Sequence, residues 1–120
     1  MNKKERSLKE FEAFVEKIRD LGLEHGNRAE WYVAFGAPRL AEAERRTQRF
    51  CLDLALELER KCFGSLKRCC AYIRIKEQEL FEKFKYYEER QVPFPAFEEL
   101  ENLWLLRKAW TSQLLRRNLK

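Results

Sequence analysis

The sequence predicts an all-α protein, an antiparallel bundle of four to five amphipathic helices, and three observations support that fold class. Apolar residues recur at three- and four-residue spacing along most of the chain. No segment alternates apolar and polar residues with the period of two that a half-buried strand shows. Charged residues make up 38% of the chain, above the ~25% typical of soluble domains, while the hydrophobic fraction of 45% is ordinary. At 120 residues we expect one helical domain over residues 1–120.

The first predicted helix begins at Leu8. Ser7 and Glu10 fit a capping box, in which the two side chains accept hydrogen bonds from backbone N–H groups of the first turn. The apolar stripe of this helix consists of Leu8, Phe11, Phe14, Val15, Ile18 and Leu21. Because glycine is common just beyond helix ends, we expect Gly22 and Gly26 to end the helix.

A short helix over residues 28–35 and a long helix from Pro38 are predicted next. Asn27 with Glu30 repeats the capping pattern, and Gly36 closes the short segment. Proline is well tolerated in the first turn of a helix, which suits Pro38. The long helix has an apolar stripe of Leu40, Ala43, Thr47, Phe50, Cys51, Leu54, Ala55, Leu58 and Cys62.

Two interpretations fit Gly64 and Ser65. Glycine followed by a capping serine makes a tight turn between two helices. The apolar period also continues through both residues, which allows one long continuous central helix from Pro38 to about Glu89. A helix of that length is rare, since the mean is ~11 to 12 residues. We therefore predict a break at Gly64.

The last two predicted helices are separated by the one clear loop, residues 92–95. Its two prolines leave no room for a helix to continue. The third long helix therefore runs from Leu66 to about Arg90, and the final helix from Pro95 to about Asn118. The final helix has its acids at the start and its bases at the end, which complements the helix dipole.

The net charge of +5 is unevenly spread along the sequence. Residues 1–60 carry twelve Lys or Arg and twelve Asp or Glu, whereas residues 61–120 carry thirteen and eight. Two windows without any acid concentrate the excess. We expect nucleic-acid phosphates to contact the cations of these windows, namely Arg60, Lys61, Lys67, Arg68, Arg74 and Lys76, and then Arg107, Lys108, Arg116 and Arg117. A solvated helix surface is the simpler alternative.

Aromatic residues are abundant, with nine Phe, four Tyr and three Trp. Tyr86 and Tyr87 follow Lys83 and Lys85, a mixture that suits stacking on unpaired bases. A bundle of this size cannot bury sixteen rings, because it hides only ~65% of its unfolded surface. We therefore expect an aromatic patch that contacts another protein, drawn from Trp31, Tyr32, Phe94, Trp104 and Trp110.

The four cysteines have spacings of 11, 7 and 1, which match no Cys-x2-Cys metal pattern. Spacings of eleven and seven return to one helix face, so we expect Cys51, Cys62 and Cys69 to pack in the core. No metal and no cofactor are expected. Adjacent Cys69 and Cys70 suit a reducing compartment, and no segment is apolar enough to span a membrane, which favours the cytoplasm.

Little in the chain favours catalysis. His25 is the single histidine, and no Glu-x-x-His tetrapeptide for a helical di-iron site occurs. The segment from Arg19 to His25 resembles the Arg-polar-x4-His signature of HEPN ribonucleases, a resemblance that implies metal-free RNA cleavage at a dimer cleft. Gly22 interrupts this segment, and a histidine near a helix end is favourable without any catalytic role.

We therefore expect a non-catalytic basic subunit that binds the backbone of RNA or single-stranded DNA within a larger nucleoprotein complex. A protein-binding adaptor or inhibitor that uses the aromatic patch is the alternative, and the ribonuclease is a third hypothesis. A homo-oligomer also fits if the central helix is continuous, because such an extended rod needs a second chain to cover its apolar stripe.

Overall fold

The computed structural model describes residues 2–118, with side chains described as far as Lys108, and every regular element in this range is an α-helix. There are four, α1 (Lys3–Ala34), α2 (Pro38–Lys61), α3 (Leu66–Glu89) and α4 (Phe97–Asn118). The all-α class is confirmed, and the number of helices lies within the predicted range. None of the described helices is long and apolar enough to cross a membrane.

Helix α1 begins earlier than the capping box indicated. Asn2 is the N-cap, and its side-chain oxygen accepts a hydrogen bond of 2.8 Å from the backbone N–H of Glu5. The prediction that Ser7 caps a helix beginning at Leu8 is therefore wrong. Ser7 lies inside α1 and donates its hydroxyl hydrogen bond to another part of the chain, the carbonyl oxygen of Gly64.

The expected stops at Gly22 and Gly26, and the separate short helix over residues 28–35, are also wrong. Helix α1 continues through both glycines to Ala34. A Cβ atom at Gly22 would lie 3.2 Å from Cβ of Cys51 on α2, so glycine here permits close packing of the two helices. The sequence pattern could not distinguish a glycine that ends a helix from one that lets another helix approach.

Helices α1 and α2 form an antiparallel pair, which we call the hairpin. As the residue number rises along α1 it falls along α2, since Phe11 contacts Phe63, Gly22 lies beside Cys51 and His25 pairs with Glu44. The two helices share a well-buried core of Phe11, Val15, Ile18, Ala29, Ala41, Cys51, Leu54, Ala55 and Leu58. Gly36, with a φ of 73°, lies in the connection between them, as the sequence indicated.

The chain breaks at Gly64, as predicted, and the single long central helix is wrong. Helix α2 ends at Lys61, and Gly64 has a φ of 78°, a left-handed conformation that glycine adopts without a steric penalty. Ser65 then caps α3, because its hydroxyl accepts a hydrogen bond of 3.2 Å from the backbone N–H of Arg68.

The chain divides into two compact units, the first ending at Cys69 and the second beginning at Cys70. The second unit contains most of α3 and all of α4. Leu80, Leu100 and Leu103 are buried there, and Phe84 contacts both Phe94 and Phe97. That residues 1–120 form one domain stays a prediction.

Candidate nucleic-acid interface

Three helix ends meet at one end of the hairpin. The hydroxyl of Ser7 donates a hydrogen bond of 2.8 Å to the carbonyl oxygen of Gly64, which brings the start of α1 to the turn between α2 and α3. We use the name basic end for the first two turns of α1, the last turn of α2 and the first turn of α3. Its cations are all exposed, and they are Lys3, Lys4, Arg6, Lys9, Arg60, Lys61, Lys67 and Arg68.

The basic end accounts for the whole charge excess of the protein. Its eight cations are accompanied by three acids, Glu5, Glu10 and Glu59, which leaves an excess equal to the formal net charge of +5. The rest of the chain is therefore electrically balanced. A concentrated excess of this kind raises the local potential and attracts polyanions.

Half of these cations were missed by the sequence analysis. Lys3, Lys4, Arg6 and Lys9 belong to the first sixty residues, in which acids and bases are equal in number. A count of charges along the sequence therefore shows no excess of cations in this part of the chain. Only the antiparallel pairing of α1 with α2 adds them to the cations around Gly64, and no local sequence signal announces that pairing.

Of the predicted site residues, the structure brings four together at the basic end, namely Arg60, Lys61, Lys67 and Arg68. The side chains of Arg60, Lys67 and Arg68 form no salt bridge with any described residue. Their charges are therefore available to an anion.

The remaining predicted cations lie in the second unit. Arg74 and Lys108 are exposed. Lys76 lies 3.9 Å from a carboxylate oxygen of Glu99, and Arg107 donates a hydrogen bond of 2.7 Å to Glu77. These two charges are partly neutralised within the protein, which weakens their attraction for phosphate. The side chains of Arg116 and Arg117 lie outside the described residues. Phosphate binding by all ten predicted residues stays a prediction.

Two buried thiols lie behind the basic end. Arg60 and Lys61 directly precede Cys62, and Lys67 and Arg68 directly precede Cys69; both cysteines are buried, as is Cys51. Burial raises the pKa of the Cys62 thiol, against the opposing effects of a hydrogen bond with Cys69 and of the nearby cationic side chains. The expected packing of Cys51, Cys62 and Cys69 in the core is confirmed, because all three side chains are buried.

The other cysteine side chains behave similarly. Burial raises the pKa of Cys51, and it raises the pKa of Cys70 to about 11 despite the nearby Arg74. All four cysteines are free thiols. Among the described residues, no three His, Cys, Asp or Glu side chains are close enough together to hold a metal ion.

Arg19 and His25 lie within the continuous helix α1, not at its end. Each faces a glutamate of α2: Arg19 pairs with Glu59, and Nδ1 of His25 lies 2.5 Å from Glu44. These contacts between α1 and α2 give both residues a structural role in the hairpin. The ribonuclease hypothesis stays open to a cleavage assay with His25→Ala.

The aromatic residues form separate clusters. In the first unit, Trp31 contacts Tyr32 and Phe35, and Trp31 and Phe35 are 57% and 69% exposed. Phe35 was missed by the sequence analysis. In the second unit, Trp104 packs on Phe81. Trp31 and Tyr32, two residues of the predicted aromatic patch, therefore form an aromatic cluster with Phe35 in the first unit. The Trp110 side chain lies outside the described residues.

In the second unit, cations lie over several rings. Arg90 lies 3.4 Å from the ring centroid of Tyr86, and Lys85 lies 4.9 Å from that of Phe81. A base that stacks on Tyr86 has to displace Arg90 from that face or use the other one. Tyr86 is therefore a weaker stacking platform than the sequence indicated.

Comparison of the sequence and the structure with protein families, curated proteins and solved structures gives no match.

Proposed function

We propose that the protein is a non-catalytic, basic helical subunit that binds the sugar-phosphate backbone of RNA or single-stranded DNA within a larger nucleoprotein complex. The observation that supports this function is the basic end, where eight exposed cations and three acids give the entire excess charge. These cations project from the ends of three helices, so the binding surface is preorganised in the absence of a ligand.

Phosphate contacts need only cations that project from a rigid element. The basic end provides them from α1, α2 and α3, with the turn between α2 and α3 fixed by the Ser7 to Gly64 hydrogen bond. Binding of this kind releases condensed counterions, depends steeply on salt and is independent of sequence. Base identity is then read by a partner or is not read at all.

We infer that neighbouring helices run antiparallel throughout the chain. The hairpin provides one example, and the connections after α2 and α3 are only four and seven residues long, which favours antiparallel neighbours. Four free cysteines suit a reducing compartment, and we propose that the protein acts in the cytoplasm.

Salt-dependent binding tests the function. We expect a uridine oligonucleotide, followed by fluorescence anisotropy, to bind with a log–log salt slope of roughly −0.7 per phosphate contacted. The variant K67Q/R68Q should lower the magnitude of the slope by roughly 1.4, and K4Q/R6Q should have a similar effect if the start of α1 takes part.

The matched control is K17Q/R39Q, which removes two exposed cations away from the basic end and gives the same net charge. It should leave affinity near that of the unmodified protein. Equal losses in both variants would show a net-charge effect without a site, and no retention of either polymer at low salt would reject the proposal.

A protein-binding adaptor or inhibitor is the second candidate, and the exposed rings of Trp31 and Phe35 favour it. The variants W31A/F35A and R68E/R74E separate the two functions. Loss of nucleic-acid binding in R68E/R74E, with a protein partner retained, supports the first function. Loss of the partner in W31A/F35A, with no nucleic-acid binding by any form, supports the adaptor.

A further inference from the structure

An exposed apolar stripe follows one flank of the hairpin. On α2, Leu52 and Leu56 are 38% and 59% exposed, and their spacing of four residues places them on one helix face; Phe63, 67% exposed, lies in the turn just beyond the end of α2. On α1, Leu23 is 57% exposed, and the neighbouring Gly22 is close to the side chain of Leu52. Solvent-facing apolar residues that are contiguous, rather than scattered, indicate an interaction surface.

A groove lies within this flank. It has a volume of about 830 Å³, and its apolar lining consists of Phe11 and Val15 of α1, Leu56 of α2, and Phe63 of the following turn. The Phe11 and Phe63 rings meet edge to face with their centroids 5.6 Å apart. The groove is therefore an open, apolar depression between two packed helices.

The charged residues that line the groove are Glu12, Glu16 and Arg19 of α1 and Glu59 and Arg60 of α2. On the α1 rim, Glu12, Glu16 and Asp20 recur every four residues and are exposed. On the α2 rim, Arg45, Arg49 and Arg60 share the helix face of Leu56 and are exposed. Arg19 and Glu59 pair with each other, which leaves an acidic excess on the α1 rim, from Glu12 and Glu16, and a basic excess on the α2 rim, from Arg60. The α1 side of the flank is thus mainly acidic, and the α2 side combines apolar and basic residues on one helix face.

We propose that a second copy of this chain occupies the groove, giving a two-fold symmetric dimer in which α1 of each subunit lies over α2 of the other. A surface of this kind is complementary to itself, because a two-fold axis along the hairpin sets the α1 rim of each subunit, with its acidic excess, against the α2 rim of the other, with its basic excess. The alternative, with α1 over α1, would set Glu12, Glu16 and Asp20 against the same acids and is electrostatically disfavoured.

The charges also define the register of the dimer. Glu12 adjoins Phe11, which contacts Phe63, so Glu12 and Arg60 lie at the same end of the hairpin. Neither forms a salt bridge with a described residue. In the dimer, Glu12 pairs with Arg60 of the partner subunit, and symmetry repeats the pair. Leu52 and Leu56, which share the helix face of Arg60, then lie against α1 of the partner subunit.

Sedimentation equilibrium and light scattering on nuclease-treated full-length protein test the dimer. We expect a mass of two chains for the unmodified protein, and a dissociation constant raised at least about tenfold by either E12R or R60E, since like charges then oppose each other across the interface. The double variant E12R/R60E restores opposite charges and should recover dimerisation. A monomeric unmodified protein, or single variants that dimerise normally, would overturn the proposal.

A second pair of variants tests the apolar part of the interface around Leu56. L56E should abolish the dimer, while I75E should not, although Leu56 and Ile75 are 59% and 58% exposed and the two substitutions are chemically alike. Circular dichroism shows that each variant folds. Equal effects of L56E and I75E would indicate general solubility changes and reject this interface. None of these measurements uses nucleic acid, so their failure leaves the proposed function untouched.

Discussion

At the scale of single residues, Gly22 and Gly26 differ in what a methyl group would meet. At Gly22 an added Cβ lies 3.2 Å from Cβ of Cys51 and 3.4 Å from a backbone oxygen of Gln48, neither of which can move without shifting α2. At Gly26 the three atoms nearest the added Cβ all belong to the side-chain amide of Gln48, and the closest of them is 2.6 Å away. That amide is the flexible end of a side chain and can rotate away.

We predict opposite effects of alanine at these two positions. Replacing glycine by alanine in a helix gains about 1 kcal/mol, whereas overpacking a close contact costs about 1–3 kcal/mol. Gly22→Ala should therefore lower the free energy of unfolding, and Gly26→Ala should raise it by up to about 1 kcal/mol. Urea unfolding of the two variants checks this, and stabilisation by Gly22→Ala would show that α1 and α2 are not closely packed there.

At the scale of the helices, the turn between α2 and α3 depends on the backbone of Gly64. Its φ is 78°, and no atom lies within 4 Å of an added Cβ, so any cost of substitution is conformational. We predict that Gly64→Ala lowers the free energy of unfolding by about 1–2 kcal/mol. Gly64→Asn is the matched control and should cost less, because asparagine tolerates the left-handed region. Equal unfolding free energies of glycine and alanine at 64 would contradict this backbone conformation.

The same scale shows which parts of the fold the sequence could predict. Pro38, Gly64, Ser65 and the prolines of the loop act on the local backbone, and the helix limits that depend on them were placed within about two residues, near the usual uncertainty of helix ends. Gly22 misled the prediction because its role depends on Cys51, twenty-nine residues further along the chain. The capping box at Ser7 misled it because the hydroxyl bonds to Gly64 instead.

In the candidate site, too, local features could be predicted from the sequence and features that depend on tertiary contacts could not. Arg60, Lys61, Lys67 and Arg68 were found because they are neighbours in the sequence as well as in space. The cations of the α1 start were not found, since only the pairing of the helices brings them near Gly64. A count of charges along the chain cannot show which cations tertiary contacts bring together. For the same reason it could not show that Arg107 pairs with the carboxylate of Glu77.

At the scale of the whole molecule, the dimer and the basic end are coupled. The register that pairs Glu12 with Arg60 of the partner subunit places both basic ends at the same end of the dimer. Two surfaces with an excess of +5 each then repel one another. A polyanion that spans both surfaces removes this repulsion and adds phosphate contacts. The ligand therefore favours the dimer, and by linkage the dimer favours the ligand to the same degree.

We predict that a single-stranded RNA long enough to reach both basic ends strengthens dimerisation by about 5- to 150-fold, the usual range of such coupling. An oligonucleotide of about five residues, near the lower limit of a single-strand site, should strengthen it much less, because it neutralises one surface at a time. Sedimentation equilibrium with each RNA measures the shift. The variant L56E, if monomeric, should bind the short RNA normally and lose affinity for the long one by the same factor. If both RNAs strengthen dimerisation equally, the two basic ends do not lie at the same end of the dimer, and the proposed register is contradicted.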